Sequence, residues 1–244
     1  MKVFVIVPAA GLGTRMAPPS AAKTKKPSPS KQFKELGSVP ILVHTLRRFA
    51  ASPEVYEIVV ALRKDEIAGF RHQVEKQFPE ILKKRLQIVE GGEHRQNSVA
   101  NALAAVAAEG DDLVLVHDAV RPLVTPQIVA DVIEAAHKYG AAIAGLPAVD
   151  TVKQVDRTAE GAVIKATIPR ASIVMAQTPQ GFRYDLLKKA FDDAGADGFL
   201  GTDEASLIER SGHPVAVVMG SPQNLKITAP ADMELAEFYL KSSG

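Results

Sequence analysis

Short apolar runs of strand length alternate with helix-period segments along most of the chain, and that alternation limits the possible folds more than any other feature. Strands are predicted near Val3–Val7, Glu57–Leu62, Leu86–Glu90, Leu113–His117 and Ala141–Leu146, and helices near Ile41–Ala51, Asp65–Gln77, Asn97–Ala107 and Pro126–Tyr139. Such an order builds an α/β fold with a mostly parallel, twisted sheet flanked by helices. A chain of 244 residues with 46% apolar content can bury one large core, so a single domain over residues 1–244 is expected. Ligands of such sheets sit beyond the carboxyl ends of the strands. Pro8–Arg15 follows the first predicted strand, Gly91–Arg95 the third and Asp118–Arg121 the fourth.

The rhythm changes after Leu146. Asp150–Ile168 is polar and β-favouring, with a turn at Asp156–Gly161, and predicts a projecting β-hairpin arm within about residues 148–170. A lone hairpin is marginally stable in water, so the arm is expected to pack on a second copy of the chain, giving a homodimer. Helices near Tyr184–Ala194, Asp203–Ser211 and Pro230–Leu240 and a strand near Pro214–Met219 complete the order. Residues 17–30 carry Pro18, Pro19, Pro27 and Pro29 among serines and lysines, and are expected to form a flexible insert.

Several functions are excluded by composition. A formal charge of +1, without a long basic run, gives no footprint for nucleic acid. The absence of cysteine removes disulfides, thiolate metal sites and cysteine nucleophiles. The opening apolar run is too short for a signal peptide, and no run approaches the ~20 residues that cross a bilayer, so a cytoplasmic protein without membrane contact is expected. The histidines lack paired ligand spacing, which disfavours zinc.

The first predicted strand runs into Pro8-Ala9-Ala10-Gly11-Leu12-Gly13-Thr14-Arg15. Gly11 and Gly13 are free to take φ > 0 and to bring backbone N–H groups close to an anion, and Arg15 adds a permanently charged, bidentate donor. Phosphate is the expected ligand. A P-loop is excluded because Gly-Lys-Ser/Thr is missing, and the dinucleotide fingerprint fails because Met16 stands where its third glycine belongs. The ribose-binding acid after the second strand is also missing, since Arg63-Lys64 follows Leu62.

Nearly the whole chain resembles the 2-C-methyl-D-erythritol 4-phosphate cytidylyltransferase family. The resemblance rests on Pro8 to Met16, Lys31-Gln32-Phe33, Gly91 to Val99, Val116 to Pro122, Asp150-Thr151-Val152-Lys153, Gln177-Thr178-Pro179-Gln180, Thr202 to Ser206 and Asn224 to Thr228. It implies a Rossmann-like nucleotidyltransferase domain in which the phosphate of a polyol phosphate attacks the α-phosphorus of CTP. The attacking monoester has a second pKa of ~6 and is already largely ionised at neutral pH. No general base is required, which agrees with the lack of a Ser-His-Asp pattern. Catalysis becomes a matter of neutralising two polyanions.

The resemblance implies that Arg15 and Lys31 stabilise the transition state, while Arg170 and Lys226 position the acceptor. Ser30 stands where the family usually has proline, and Lys25 and Lys26 remain alternatives to Lys31. Nucleotide binding is assigned to Pro8, Ala9, Ala10, Gly11, Gly13, Gly91, Gly92, Glu93, Arg95, Ser98 and Asp118. Glu93 replaces a common aspartate, and Ser98 is also placed to cap a helix. Asp118 is the candidate ligand for Mg²⁺ or another divalent cation; its alternatives are a helix cap or a partner of Arg121. His117 is read as structural. Thr151, Thr178 and Arg121 are further candidates for the acceptor site, with Asp203 either ordering Lys226 or capping a helix. Two rival readings are a ribitol 5-phosphate cytidylyltransferase, differing in the acceptor alone, and a catalytically inactive nucleotide-binding module.

Overall fold

The computed structural model describes residues 1–11 and 30–242. The predicted strands appear as β1 (Val3–Pro8), β4 (Val55–Leu62), β5 (Arg85–Glu90), β6 (Leu113–Val116) and β7 (Ala141–Pro147). With β10 (Val174–Arg183) and β11 (Ala216–Met219) they form a seven-stranded sheet in the order β11-β7-β10-β6-β1-β4-β5. Every neighbouring pair is parallel except those of β10, which runs antiparallel to both β6 and β7.

The sheet is buried on both faces, and its sequence shows why. Val3, Val5 and Val7 of β1 join one apolar cluster, whereas Phe4 and Ile6 join the other. The same division separates Ile58, Val60 and Leu62 from Val59 and Ala61, and Leu113 and Leu115 from Val114 and Val116. Doubly covered parallel strands need apolar residues at every position, so they read as continuous apolar runs. Helices α1 (Ile41–Ala50), α2 (Lys64–Gln77) and α4 (Pro126–Tyr139) cover the first face. Helices α3 (Arg95–Ala105), α5 (Tyr184–Asp197) and α6 (Glu204–Arg210) cover the second. Each fully buried aliphatic or phenyl side chain contributes roughly 1.5–3 kcal/mol relative to its exposed state.

A smaller cluster of Leu36, Ile41, Val120, Leu123, Ile227 and Ala236 lies at the carboxyl end of the sheet. It joins the short strand β2 (Glu35–Leu36), which pairs with β3 (Val39–Pro40), to α7 (Pro230–Ser242). It also fixes the loop after β6 against the loop leading to α7, where Ile227 N donates to Val120 O at 2.9 Å.

The predicted arm is present. Strands β8 (Val152–Thr158) and β9 (Gly161–Ile168) form a separate antiparallel pair that is exposed along nearly all its length. At ~3.3 Å per residue it extends roughly 20 Å. Val163 and Ile164 are 64% and 60% exposed, a cost in water that a free-standing ribbon cannot recover.

Strand β10 has no counterpart among the predicted strands. Its Gln177-Thr178-Pro179-Gln180 centre is polar and contains proline, which cannot donate to a ladder. The pairing with β7 accordingly shifts register between Ala176 and Gln180. Ser30 also departs from expectation, because it is buried and its hydroxyl donates to Glu66. The rest of the predicted insert, together with Gly13 and Arg15, lies outside the described residues.

Candidate active site

A cleft opens beyond the carboxyl ends of β1, β5 and β6, lined by Pro8, Ala9, Ala10 and Gly11, by Gly92, Glu93, His94, Arg95 and Ser98, and by Asp118, Lys31 and Lys226. Backbone pairing delivers these segments to one place. Ala9 N donates to Ala61 O at 2.8 Å and Gly91 N to Leu62 O at 2.7 Å, so the loops after β1 and β5 both clasp the end of β4. Gln32, 3% exposed, donates to Ala9 O at 2.5 Å and places the short 3-10 turn Lys31–Phe33 against the first loop.

Gly11 does not use a left-handed conformation, and a Cβ there would meet no heavy atom of the described residues within 4 Å. The close approach occurs at Gly91 instead, where a Cβ would lie 2.4 Å from Ala10 Cβ and 3.0 Å from Ser98 Oγ. Gly91 therefore stands behind the cleft wall. Ser98 Oγ accepts from Gly92 N at 3.1 Å and closes the turn after β5. It does not cap α3. That helix begins at Arg95, with His94 as its cap and Asn97 Oδ1 accepting from His94 N at 3.1 Å.

Asp118 is the electrostatic centre. Its Oδ1 accepts from Arg95 Nε at 3.4 Å, and its Oδ2 accepts from Arg121 Nε at 3.2 Å and Lys226 Nζ at 3.0 Å. Burial alone would raise the carboxyl, but Arg95, Lys226 and Arg121 outweigh it and hold Asp118 well below the usual carboxylate range. Burial likewise works against charge on Arg95, yet Glu204 and Asp118 more than compensate and the guanidinium is held charged. Arg121 is pulled below its usual value by burial, with Asp118 opposing.

The other candidates take different places. Arg121 is buried beneath the cleft, donating to Asp118 and, through Nη1, to Asn224 O at 2.7 Å. Thr178 is also buried, and its Oγ1 accepts from Asp118 N at 3.0 Å. His117 Nε2 lies 3.0 Å from Arg121 O and must donate to it, which leaves Nδ1 to accept from Thr178 Oγ1 at 3.2 Å. Full burial pushes the ring's pKa down to about 4, in keeping with a structural role. Asp203 caps α6 by accepting from Ser206 N at 3.0 Å, whereas Lys226 pairs with Asp118. Thr151 and Arg170 are exposed at the base of the arm, where Arg170 donates to Val149 O at 2.7 Å, and neither lines the cleft.

Four supporting side chains carried no predicted role. Asn224, fully buried, donates to Gln177 Oε1 at 3.2 Å and Thr178 O at 2.8 Å, which ties the Lys226 loop to β10. Gln180 bridges β10 to the start of α6, donating to Asp203 at 2.8 Å and accepting from Ala205 N at 3.1 Å. Gln32 is the third. Glu204 is the fourth, accepting from Arg95 Nη1 at 2.7 Å. Their motif segments stood out in the sequence, but only the folded chain shows what the side chains touch.

A mostly parallel sheet with a cation-rimmed cleft at its carboxyl ends is the architecture of a nucleotide-binding α/β enzyme. The chain belongs to the 2-C-methyl-D-erythritol 4-phosphate cytidylyltransferase family, whose model matches residues 3–242. A relative of that description from Acidobacterium capsulatum is 58% identical over 99% of this chain and 98% of its own length. One from Solibacter usitatus is 52% identical over 99% and 96%. The crystal structure of the Francisella tularensis 2-C-methyl-D-erythritol 4-phosphate cytidylyltransferase superposes with a TM-score of 0.78 at 34% identity, covering 98% of this chain and 99% of that one.

Proposed function

We propose that this enzyme transfers the cytidylyl group of CTP to 2-C-methyl-D-erythritol 4-phosphate by charge neutralisation and positioning, without a general base. The bond formed joins the acceptor's phosphate oxygen to the α-phosphorus, and the bond broken releases pyrophosphate. The acceptor phosphate is already ionised at neutral pH. What opposes reaction is repulsion between two polyanions and the charge that builds on the α-phosphoryl oxygens. Family membership supports this reading, and the observation that carries it is the gathering of Lys31, Arg95 and Lys226 around one cleft.

In this reading the loop from Pro8 to Gly11 faces the nucleotide with backbone N–H groups, and Gly92 and Ser98 shape the base pocket. Lys31 and, on the strength of its place in the glycine loop, Arg15 stabilise the α-phosphoryl charge. Lys226 is half exposed and paired with Asp118, so it has both the charge and the freedom to meet the acceptor phosphate. Arg121, His117 and Thr178 hold Asp118 in position from below.

Among the described residues no group of three or more acidic or histidine side chains forms a metal cage. Asp118 and Glu93 still suit Mg²⁺, which takes oxygen donors from one or two carboxylates and completes its shell with phosphates and water. Asp118 would hold the ion in exchange for its contact with Lys226, and when bound the ion supplies further neutralisation of phosphate charge. We further assign Thr151 and Arg170 to the acceptor site of a second subunit, reached by the exposed arm of a homodimer. Among the described residues no helix is long and apolar enough to cross a membrane, and the proposed workplace is the cytoplasm, which supplies nucleoside triphosphates.

Pyrophosphate release from CTP tests the reading. Turnover is expected with 2-C-methyl-D-erythritol 4-phosphate and is expected to be far slower with ribitol 5-phosphate. Preference for ribitol 5-phosphate, or no release with either acceptor, would refute it.

A further inference from the structure

Glu204 has no part in the scheme above, yet the fold spends a great deal on it. It is the first residue of α6, 1% exposed, and its Oε2 is buried with no hydrogen-bond partner among the described residues. Orphaned buried oxygens are rare in folded proteins because each forfeits its hydration. Burial pushes the Glu204 carboxyl up, with Arg95 pulling the other way. The placement is enforced by the frame around it, in which Gln180 and the Asp203 cap fix the first turn of α6.

What Glu204 touches is Arg95. The guanidinium spans two carboxylates, with Nη1 2.7 Å from Glu204 Oε1 and Nε 3.4 Å from Asp118 Oδ1. A guanidinium is planar, so two fixed N–H directions determine the rest of the fork. Without Glu204, Arg95 would settle on Asp118 alone and crowd Arg121 and Lys226 on the same two oxygens.

We propose that Glu204 is a positioning residue for the nucleotide: it draws Arg95 away from Asp118 and aims the guanidinium into the cleft toward the phosphates of CTP. This rests on the reading that the cleft binds CTP. A carboxylate that served packing alone would support the fold without affecting one substrate more than the other.

A double-mutant cycle over Glu204→Gln and Arg95→Gln, read as kcat/KM for CTP, KM for the acceptor and Tm, separates the two. E204Q is expected to lower kcat/KM for CTP roughly ten- to hundredfold, the span of one charge-assisted hydrogen bond. The acceptor KM should stay within about twofold, and E204Q should add little once Arg95 is gone. Equal losses in both backgrounds, or a lower Tm with unchanged kcat/KM for CTP, would overturn the proposal. If E204Q does not fold, Arg95→Lys reads the coupling from the other side. It keeps the charge but cannot span both carboxylates, so a wild-type kcat/KM for CTP in R95K would also overturn it. Wild-type enzyme that fails to turn over CTP would defeat the underlying reading, whereas an active wild type with an uncoupled cycle defeats this inference alone.

Discussion

Replacing Gly91 with alanine adds one methyl group at the most crowded point behind the cleft. The new Cβ would stand 2.4 Å from Ala10 Cβ, whereas carbon atoms in contact normally lie about 3.5–4.0 Å apart, so a displacement of roughly 1 Å is required. Backbone conformation is not the obstacle, because Gly91 has no positive φ. The strain must pass to Ala10 or to the bonds that hold both loops to β4, Ala9 N to Ala61 O and Gly91 N to Leu62 O. Overpacking of this size costs about 1–3 kcal/mol, which for a chain of this length lowers Tm by about 2–12 °C. The effect on activity should be larger in proportion, since a displacement of about 1 Å near reacting groups can cost up to about a hundredfold. Thermal unfolding and CTP-dependent pyrophosphate release measure the two effects, with Gly69→Ala as the control, because Gly69 is exposed on α2 away from the cleft and no heavy atom of the described residues lies within 4 Å of its Cβ position. A G91A enzyme with wild-type Tm and kcat/KM would refute the claim that Ala10 and Gly91 together set the cleft wall.

His117 should make the fold acid-sensitive above the range of the carboxylates. Burial lowers its pKa to about 4 in the folded chain against about 6.5 unfolded, so the unfolded state takes up the proton first and stability falls as pH drops from 6.5 to 4, by up to about 3 kcal/mol. Urea unfolding across that window should show a smaller slope in His117→Asn than in the wild type, and equal slopes would contradict the assignment. For the proposed dimer, Lys226→Ala and Arg170→Ala should each be nearly inactive, while their co-expressed mixture recovers about a quarter of wild-type activity, since half the dimers would carry one intact site. No recovery in dimers shown to contain both chains would rule out a shared site.

The sheet was legible because burial on both faces leaves a local trace: Val3 to Val7, Ile58 to Leu62 and Leu113 to Val116 are apolar without interruption. Strand β10 left none, since its stability comes from neighbours on both sides and not from its own polar, proline-containing centre. The site divides in the same way. Lys31, Glu93, Ser98, Asp118 and Lys226 were legible as cleft residues because they flank strand ends or lie in segments with a family likeness. Arg121 and Thr178 were picked out by the same signals, but nothing local distinguishes a side chain that meets a ligand from one that holds Asp118 beneath it. Glu204 lies 109 positions from Arg95, and Asn224 lies 46 from Thr178. No spacing along the chain encodes such contacts; they arise only when β10, reversed between β6 and β7, brings Gln177, Thr178 and Gln180 to the carboxyl end of the sheet. The strand that sequence patterning misses is thus the one that fixes Asp118 and the Lys226 loop and, through Gln180, the start of α6. The positioning groups of this site are hidden for the same reason that the strand is.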